Sequence, residues 1–356
     1  MAESVKPLKG RVLLTGGSGF IASHTLDALL DDGFGVVASA RSHARGRRIL
    51  DSVDPTRRER VSYVVVEDVA KDGAFDAVFE ADPNFDYVVH TASPYHLNVE
   101  DPIKDFLDPA INGTTGLLRS IKAYSPATKR VVITSSGAAI INPLHHANVY
   151  DETCWAPWTR EHALNPKRSY EASKVLSEKA AWSFMEAEKP SFDLVTINCT
   201  YTFGPIQRNI TSLDAINTSN HRVRDLVLGR VEGGLKPTEP VFVFVDVRDV
   251  ALAHVRAITV PAAGGNRFYV VGGYFSNKRI ADIVGRCRPD LAAHLPSGDA
   301  ARDDLPDNVY AFDNGKSRRV LGLEYTGLEK SIRDTVQSIL EVAAVEERAR
   351  EGSAYT

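Results

Sequence analysis

Cysteine is scarce in this chain: there are three in 356 residues, Cys154, Cys199 and Cys287, widely spread and odd in number. That excludes a disulfide framework and a cysteine-based zinc cluster, and it suits a reducing compartment. Long apolar runs are missing too. No stretch approaches the ~20 apolar residues that a membrane-spanning helix needs, and the opening "MAESVKPLKG" lacks the apolar core of a signal peptide. The expectation is a cytoplasmic protein without a membrane partner, in which the glycosylation sequons at Asn112 and Asn209 go unread. Positive charge is not in excess either. Lys and Arg total 42 against 46 Asp and Glu, a net charge of −4, so nothing global points to nucleic acid. His145 and His146 stand side by side without Cys, Asp or Glu at ligand spacing, and no metal site is read there. Internal repeats and low-complexity segments are lacking.

What is present is a soluble composition, 43% hydrophobic and 25% charged, in a chain long enough for one large domain or two packed ones. Short β-branched runs alternate with helical patterns: "RVLLT" (11–15), "GVVASA" (35–40), "VSYVVV" (61–66), "DYVVHTA" (86–92), "RVVITSS" (130–136) and "DLVTIN" (193–198). The runs are nearly continuous in apolar character, as strands buried on both faces must be. This alternation predicts an α/β fold, a doubly wound parallel sheet of the Rossmann type. From residue 201 the rhythm is lost, and 201–240 reads as loops with a short helix. "VFVFVDVRDVALAHVRAI" then reads as a strand running into a helix, and "LEKSIRDTVQSILEVAAVEERAR" as an amphipathic helix. The expected division is a nucleotide-binding domain over 1–200, to which 241–261 returns, with 201–240 and 262–356 forming a smaller interleaved substrate-binding region. The last helix packs on its own domain in this reading, although an oligomer contact is the other use for it.

"TGGSGFIA" (15–22) falls between the first strand and the first helix, the place where open α/β sheets bind ligands. Gly16, Gly17 and Gly19 let the backbone approach a pyrophosphate, and the stretch on through Ser18, Phe20 and Ile21 opens a helix whose free N–H groups face it. An NAD site usually carries an acid about 20 residues further on, at the ribose 2′-hydroxyl. Here that place reads "SARSHARGRR", with no acid. Arg41 follows the strand directly and Arg45 comes next, and a planar, permanently charged guanidinium suits a phosphate. The cofactor read from these residues is NADP(H), with Arg41 and Arg45 on its 2′-phosphate.

Within "RSYEASKVLSEKAAW" (168–182), Tyr170 and Lys174 are four apart, so a helix projects both from one face. A phenol titrates near pH ~10 in water, and a nearby ammonium lowers that value. The spacing alone most often marks a solvated surface pair; with the glycine turn and the arginines it fits a general acid aimed at a carbonyl oxygen.

With these residues in hand the chain resembles the extended short-chain dehydrogenase/reductases. More closely it is similar to the dihydroflavonol 4-reductase-like branch, which includes fungal NADPH-dependent aldehyde and ketone (methylglyoxal/isovaleraldehyde) reductases. The resemblance runs almost end to end, through "TGGSGFIA", "SARS", "EDVAKDGAFDAVF", "HTASP", "NGTTGLL", "RVVITSSGAAI", "SYEASK", "TFGP", "INTS", "FVDVRDVALAH" and "DNGKSRRVLG". It implies Tyr170 as the proton donor and Lys174 as the group that binds nicotinamide ribose and holds the phenol's pKa down. It implies Ser136 as a donor to the carbonyl oxygen, with Ser135 as the alternative one register away. Asn112 matches a family asparagine sometimes tied to a proton relay, with loop structure as its other use.

The resemblance also implies Asp68 and Val69 at the adenine, and Thr91, Ala92 and Ser93 beneath the ribose and pyrophosphate. Thr202 and Ser219 would lie towards the nicotinamide end. Tyr95, Gly137 and Tyr201, with Ser136, would face substrate, and a glycine at 137 would widen the pocket for a larger ketone. Trp155 and Trp158 could stack on an aromatic substrate or pack the domain interface. One departure is "NC" (Asn198, Cys199) where the family usually has "NP". Cys199 has no evident histidine–acid partner that would make it a nucleophile. The implied activity is NADPH-dependent reduction of a small-molecule aldehyde or ketone, with a biosynthetic pathway as one setting, by a monomer or homodimer. A nucleotide-sugar epimerase or dehydratase, and an NADP sensor without chemistry, are the alternatives; the missing ribose acid weighs against the first and the intact Ser136, Tyr170 and Lys174 against the second.

Overall fold

The computed structural model describes residues 7–93, 101–207, 210, 212–231 and 234–353. Seven strands form one sheet: β1 (Arg11–Thr15), β2 (Gly35–Ala40), β3 (Val61–Val65), β4 (Tyr87–His90), β5 (Arg130–Ser136), β6 (Asp193–Cys199) and β7 (Asn266–Val270). Their order across the sheet is β7-β6-β5-β4-β1-β2-β3, and every pairing is parallel.

The burial explains why these runs are apolar throughout. Val12 and Leu14 enter one core cluster with Leu26, Leu29 and Val250, while Leu13 points the other way into a cluster with Val88, Leu117 and Ala181. Successive side chains of a strand face opposite sides, so each side must be covered by helices. The first cluster is roofed by α1 (Phe20–Asp31), which packs on a later helix, Val247–Thr259. Between them in the chain, besides the short helices Asp76–Ala81 and Arg160–Ala163, come α2 (His43–Ser52), α3 (Asp108–Tyr124), α4 (Ser169–Glu188) and α5 (His221–Val227), and Val247–Thr259 is labelled α6. The second cluster is roofed by α3 and α4, which pack together.

The strand order reverses between β1 and β4, so a crevice opens beyond their carboxyl ends. A three-stranded sheet lies apart, with Val243–Asp246 between Tyr201–Phe203, parallel to it, and Gly273–Tyr274, antiparallel. Around it gather α5, α7 (Asn277–Cys287) and α8 (Leu328–Ser353), in a core shared by Phe203, Val223, Ile280, Ile332, Val336 and Ile339. The last helix thus spends its apolar face on its own region. The expected return to the main domain over 241–261 is split: α6 packs on α1, while the strand before it belongs to the small sheet. The main sheet also reaches beyond 261. Asn266–Val270 pairs with β6, because Phe268 and Val270 complete the core on the α6 side. No helix among the described residues is long and apolar enough to cross a membrane.

Candidate active site

The floor of the crevice is built by the turn after β1. Gly16 has φ +68°, and a Cβ there would stand 2.9 Å from the Cα of Ala92. A Cβ on Gly17 would lie 2.8 Å from that of Ala38. The turn is therefore pressed between the ends of β4 and β2 by backbone that only glycine allows. Thr15 ties the strands: its Oγ1 accepts from the Ala92 N–H at 3.1 Å, and its carbonyl accepts from Thr91 Oγ1 at 2.5 Å. Gly19 is the N-cap of α1 without a side-chain cap, and the first turn of α1 has no acid. Ser18, Phe20 and Ile21 are half-buried beside it. The N–H groups of this turn are those available to an anion.

Arg41 leaves the end of β2, and Ser42 caps α2, accepting from the Arg45 N–H at 3.4 Å. Arg41 and Arg45 are exposed, and neither guanidinium has an ion pair among the described residues. "SARSHARGRR", read as a basic turn, is the end of a strand and the first helical turns after it. The fit to a dinucleotide with a 2′-phosphate rests on two features: a cradle that any Cβ would fill, and uncommitted cations at the ribose end.

Helix α4 carries Tyr170 in its first turn and Lys174 one turn later. The Lys174 ammonium stands 5.6 Å from the centre of the Tyr170 ring, close enough for attraction to its π face. Lys174 Nζ also donates to Ser93 Oγ at 2.9 Å, which joins α4 to the end of β4. Burial pushes the Lys174 pKa down to about 8. His90, beside it, is held near 4 by burial and by the Lys174 charge, and its Nδ1 lies 2.8 Å from Thr15 Oγ1. A neutral imidazole of this kind donates no proton at physiological pH.

Ser136 ends β5 and is half-buried; its Oγ accepts from the Ala138 N–H at 3.1 Å, and the turn Gly137–Ala139 packs on α4. Ser135 points into the core, where its hydroxyl binds the Glu178 carboxylate. Ser136 is the half-buried one of the two, at the strand end next to α4, while Ser135 is buried and lines the cavity that also holds Ser93 and Lys174.

A family model, described as the NAD dependent epimerase/dehydratase family, matches residues 12–272. The chain belongs to the NAD-dependent epimerase/dehydratase family. Among the family's curated members, the ketoreductase azaE of Aspergillus niger is 53% identical over 94% of this chain and 99% of that protein. The crystal structure of yeast methylglyoxal/isovaleraldehyde reductase Gre2 complexed with NADPH aligns with TM-score 0.87 at 33% identity, covering 94% of this chain and 99% of that one. Gre2 of Candida albicans, also in complex with NADPH, aligns with TM-score 0.84 at 34% identity over 94% and 99% of the two chains. The Rossmann-type fold and the resemblance to the reductase branch of this family are both borne out.

The structure brings Gly16, Gly17, Thr91, Ala92, Ser93 and Lys174 together around the crevice, and Val69 shares a cavity with Lys174. Asp68 is exposed and accepts from the Ala70 N–H at 2.9 Å. Asn112 is exposed within α3, so the loop role expected as its alternative is replaced by a helical one, and it does not line that cavity. Thr202 is buried and gives its hydroxyl to the Thr200 carbonyl at 2.9 Å; Ser219 is half-buried in a short turn before α5. Tyr95 lies outside the described residues.

One substrate-side expectation needs correction, and one alternative left open is narrowed. A Cβ on Gly137 would stand 3.0 Å from Thr200 Cγ2, so the space beside Ser136 is already taken and the glycine permits close packing, not a wider pocket. Trp158 is 2% exposed in a cluster with Leu107 and Val175, and Trp155 lies under Arg267, whose Cζ is 3.6 Å from the ring centre. Both tryptophans are packing residues. Tyr201 is half-buried, edge-on to Phe275 at 5.3 Å and beneath Arg222 at 5.2 Å. Cys199 is buried and its thiol is pushed up by that burial, which removes it as a nucleophile. His146 is exposed and stacks on Tyr310 at 4.4 Å. Among the residues that line the cavity with Lys174, two titratable ones went unread, His90 and Glu178. The second had a legible signal, since it continues the Tyr170–Lys174 face by one more turn.

Proposed function

We propose that the protein is an NADPH-dependent carbonyl reductase, which converts a small-molecule aldehyde or ketone to an alcohol. The observation that carries this reading is the Lys174 ammonium poised between the Tyr170 ring at 5.6 Å and Ser93 at 2.9 Å, beside a glycine turn shaped for a dinucleotide. Gly16, Gly17, Ser18, Gly19, Phe20 and Ile21 would hold the pyrophosphate, Arg41 and Arg45 the 2′-phosphate, and Lys174 and Ser93 the nicotinamide ribose. When bound, NADPH supplies the hydride.

The chain's own residues manage the proton and the oxygen. Ser136 Oγ donates a hydrogen bond to the carbonyl oxygen and orients it. The Tyr170 hydroxyl gives that oxygen its proton as negative charge develops there, and the Lys174 ammonium stabilises the phenolate left behind. A cytoplasmic setting is part of the reading and is supported by three cysteines that are all free. The protein acts as a monomer or homodimer.

Lys174 ties the reading to pH. Its pKa of about 8 belongs to the cofactor-free protein, so the ammonium is present below that value and is lost as pH rises through it. Because kcat/KM for NADPH reports the ionisations of the cofactor-free enzyme, that constant, measured with methylglyoxal as the carbonyl, should be level up to a pH near 8 and fall above it. A profile that rises through this region would remove the cationic lysine from the mechanism. The family's epimerase and dehydratase activities are tested by the same assay, because neither consumes NADPH with a simple carbonyl.

A further inference from the structure

The mechanism leaves several buried charged side chains unused, Arg130, Asp246 and Asp249 among them, and one of them stands on the helix that carries Tyr170 and Lys174. Glu178 is 2% exposed, on the face of α4 that carries Tyr170 and Lys174. Its Oε1 accepts from Arg267 Nε at 2.6 Å, Thr196 Oγ1 at 3.0 Å and Trp182 Nε1 at 3.4 Å. Its Oε2 accepts from Asn198 Nδ2 at 2.7 Å and from Ser135 Oγ. These donors come from β5, β6 and β7, three neighbouring strands, and from α4 itself. Asn198 Nδ2 also reaches the Ser136 carbonyl at 3.3 Å. Arg267 runs on, giving Nη1 to the carbonyls of Glu152 and Cys154 at 2.6 and 2.8 Å.

The arrangement matters because the proposed donors sit on separate elements, Ser136 at a strand end and Tyr170 on a helix. Buried ion pairs are weak sources of net stability, since the cost of desolvating both charges offsets most of their attraction. What this one supplies is direction: every donor on Oε2 is Ser135 or a residue that also holds the Ser136 backbone. Resting on the reductase reading above, we propose that Glu178, held by Arg267, is a positioning residue for carbonyl reduction. It fixes the α4 face bearing Tyr170 and Lys174 against the end of β5 bearing Ser136. A displacement of about 1 Å between reacting groups costs on the order of 10²-fold in rate.

The test uses the full chain, with methylglyoxal as the probe and single-turnover oxidation of bound NADPH as the readout. Glu178→Gln keeps the shape and removes the charge; its hydride-transfer rate should fall roughly 10- to 100-fold, with NADPH affinity close to wild type. The second variant, Glu178→Met with Arg267→Met, removes both charges and leaves neither unpaired. Its melting temperature should return towards wild type while the hydride-transfer rate stays low. A purely structural pair would show the reverse, with the rate recovering alongside stability, and that result would overturn the inference. So would a folded Glu178→Gln enzyme with an undiminished rate. A wild-type protein that turns over no carbonyl would instead remove the reductase reading, and this inference with it.

Discussion

Tyr170→Phe is expected to lower turnover by about 10²- to 10⁴-fold, the range for removing a positioned general acid, while NADPH still binds. The variant loses one oxygen and nothing else. The ring that faces the Lys174 ammonium at 5.6 Å is retained, and so is the Lys174–Ser93 bond at 2.9 Å. The cofactor side of the crevice should therefore be intact, and fluorescence titration with NADPH should give a dissociation constant near that of the wild type. Two other titratable groups near the crevice do not stand in for the phenol. His90 is neutral, with its pKa near 4, and the Cys199 thiol is buried and pushed up. Turnover within a few-fold of wild type would mean that the proton comes from elsewhere, and the mechanism above would have to be abandoned.

Arg41→Glu carries the second large effect, on the choice between cofactors. Arg41 has no ion-pair partner among the described residues, so its replacement breaks no internal bond. A hydrogen bond to a charged group contributes about 1.5–3 kcal/mol, and each 1.4 kcal/mol is roughly tenfold in affinity. Loss of the guanidinium should then weaken NADPH binding roughly 10- to 100-fold, and the new carboxylate adds repulsion of the 2′-phosphate. NADH lacks that phosphate, so its affinity should hardly move. Equal losses for both cofactors would place Arg41 in the fold of the turn and take away the account of NADPH preference.

The main sheet was largely legible because its physics is local. β1, β2 and β5 coincide with the apolar runs 11–15, 35–40 and 130–136, whose residues must fill cores on both faces. The small sheet was not legible. A three-residue strand such as Tyr201–Phe203 has no period to detect, and it exists only because Val243–Asp246 lies beside it. Asn266–Val270 follows two glycines and opens on polar residues, so its place at the edge of the main sheet depends on pairing with distant β6.

The candidate site divides in the same way. The glycine turn, the bare arginines and the Tyr170–Lys174 spacing are short-range patterns with a chemical meaning of their own. Gly137 was misleading because a sequence does not say where its missing side chain would point, and the answer is Thr200. The place of Glu178 on the Tyr170–Lys174 face was legible, but its burial was not, because that depends on Arg267, 89 residues away, and Asn198, 20 away, converging on it.

The central claim is that hydride passes from NADPH to a carbonyl carbon in this crevice. NADPH deuterated at its transferable position, incubated with the protein and methylglyoxal, tests it most directly, with the product examined by mass spectrometry. The account predicts an alcohol carrying one deuterium at the new carbinol carbon, formed in step with oxidation of NADPH and not with NADH at the same concentration. Unlabelled product, or NADPH that stays bound and reduced in the presence of every aldehyde and ketone tried, would contradict it.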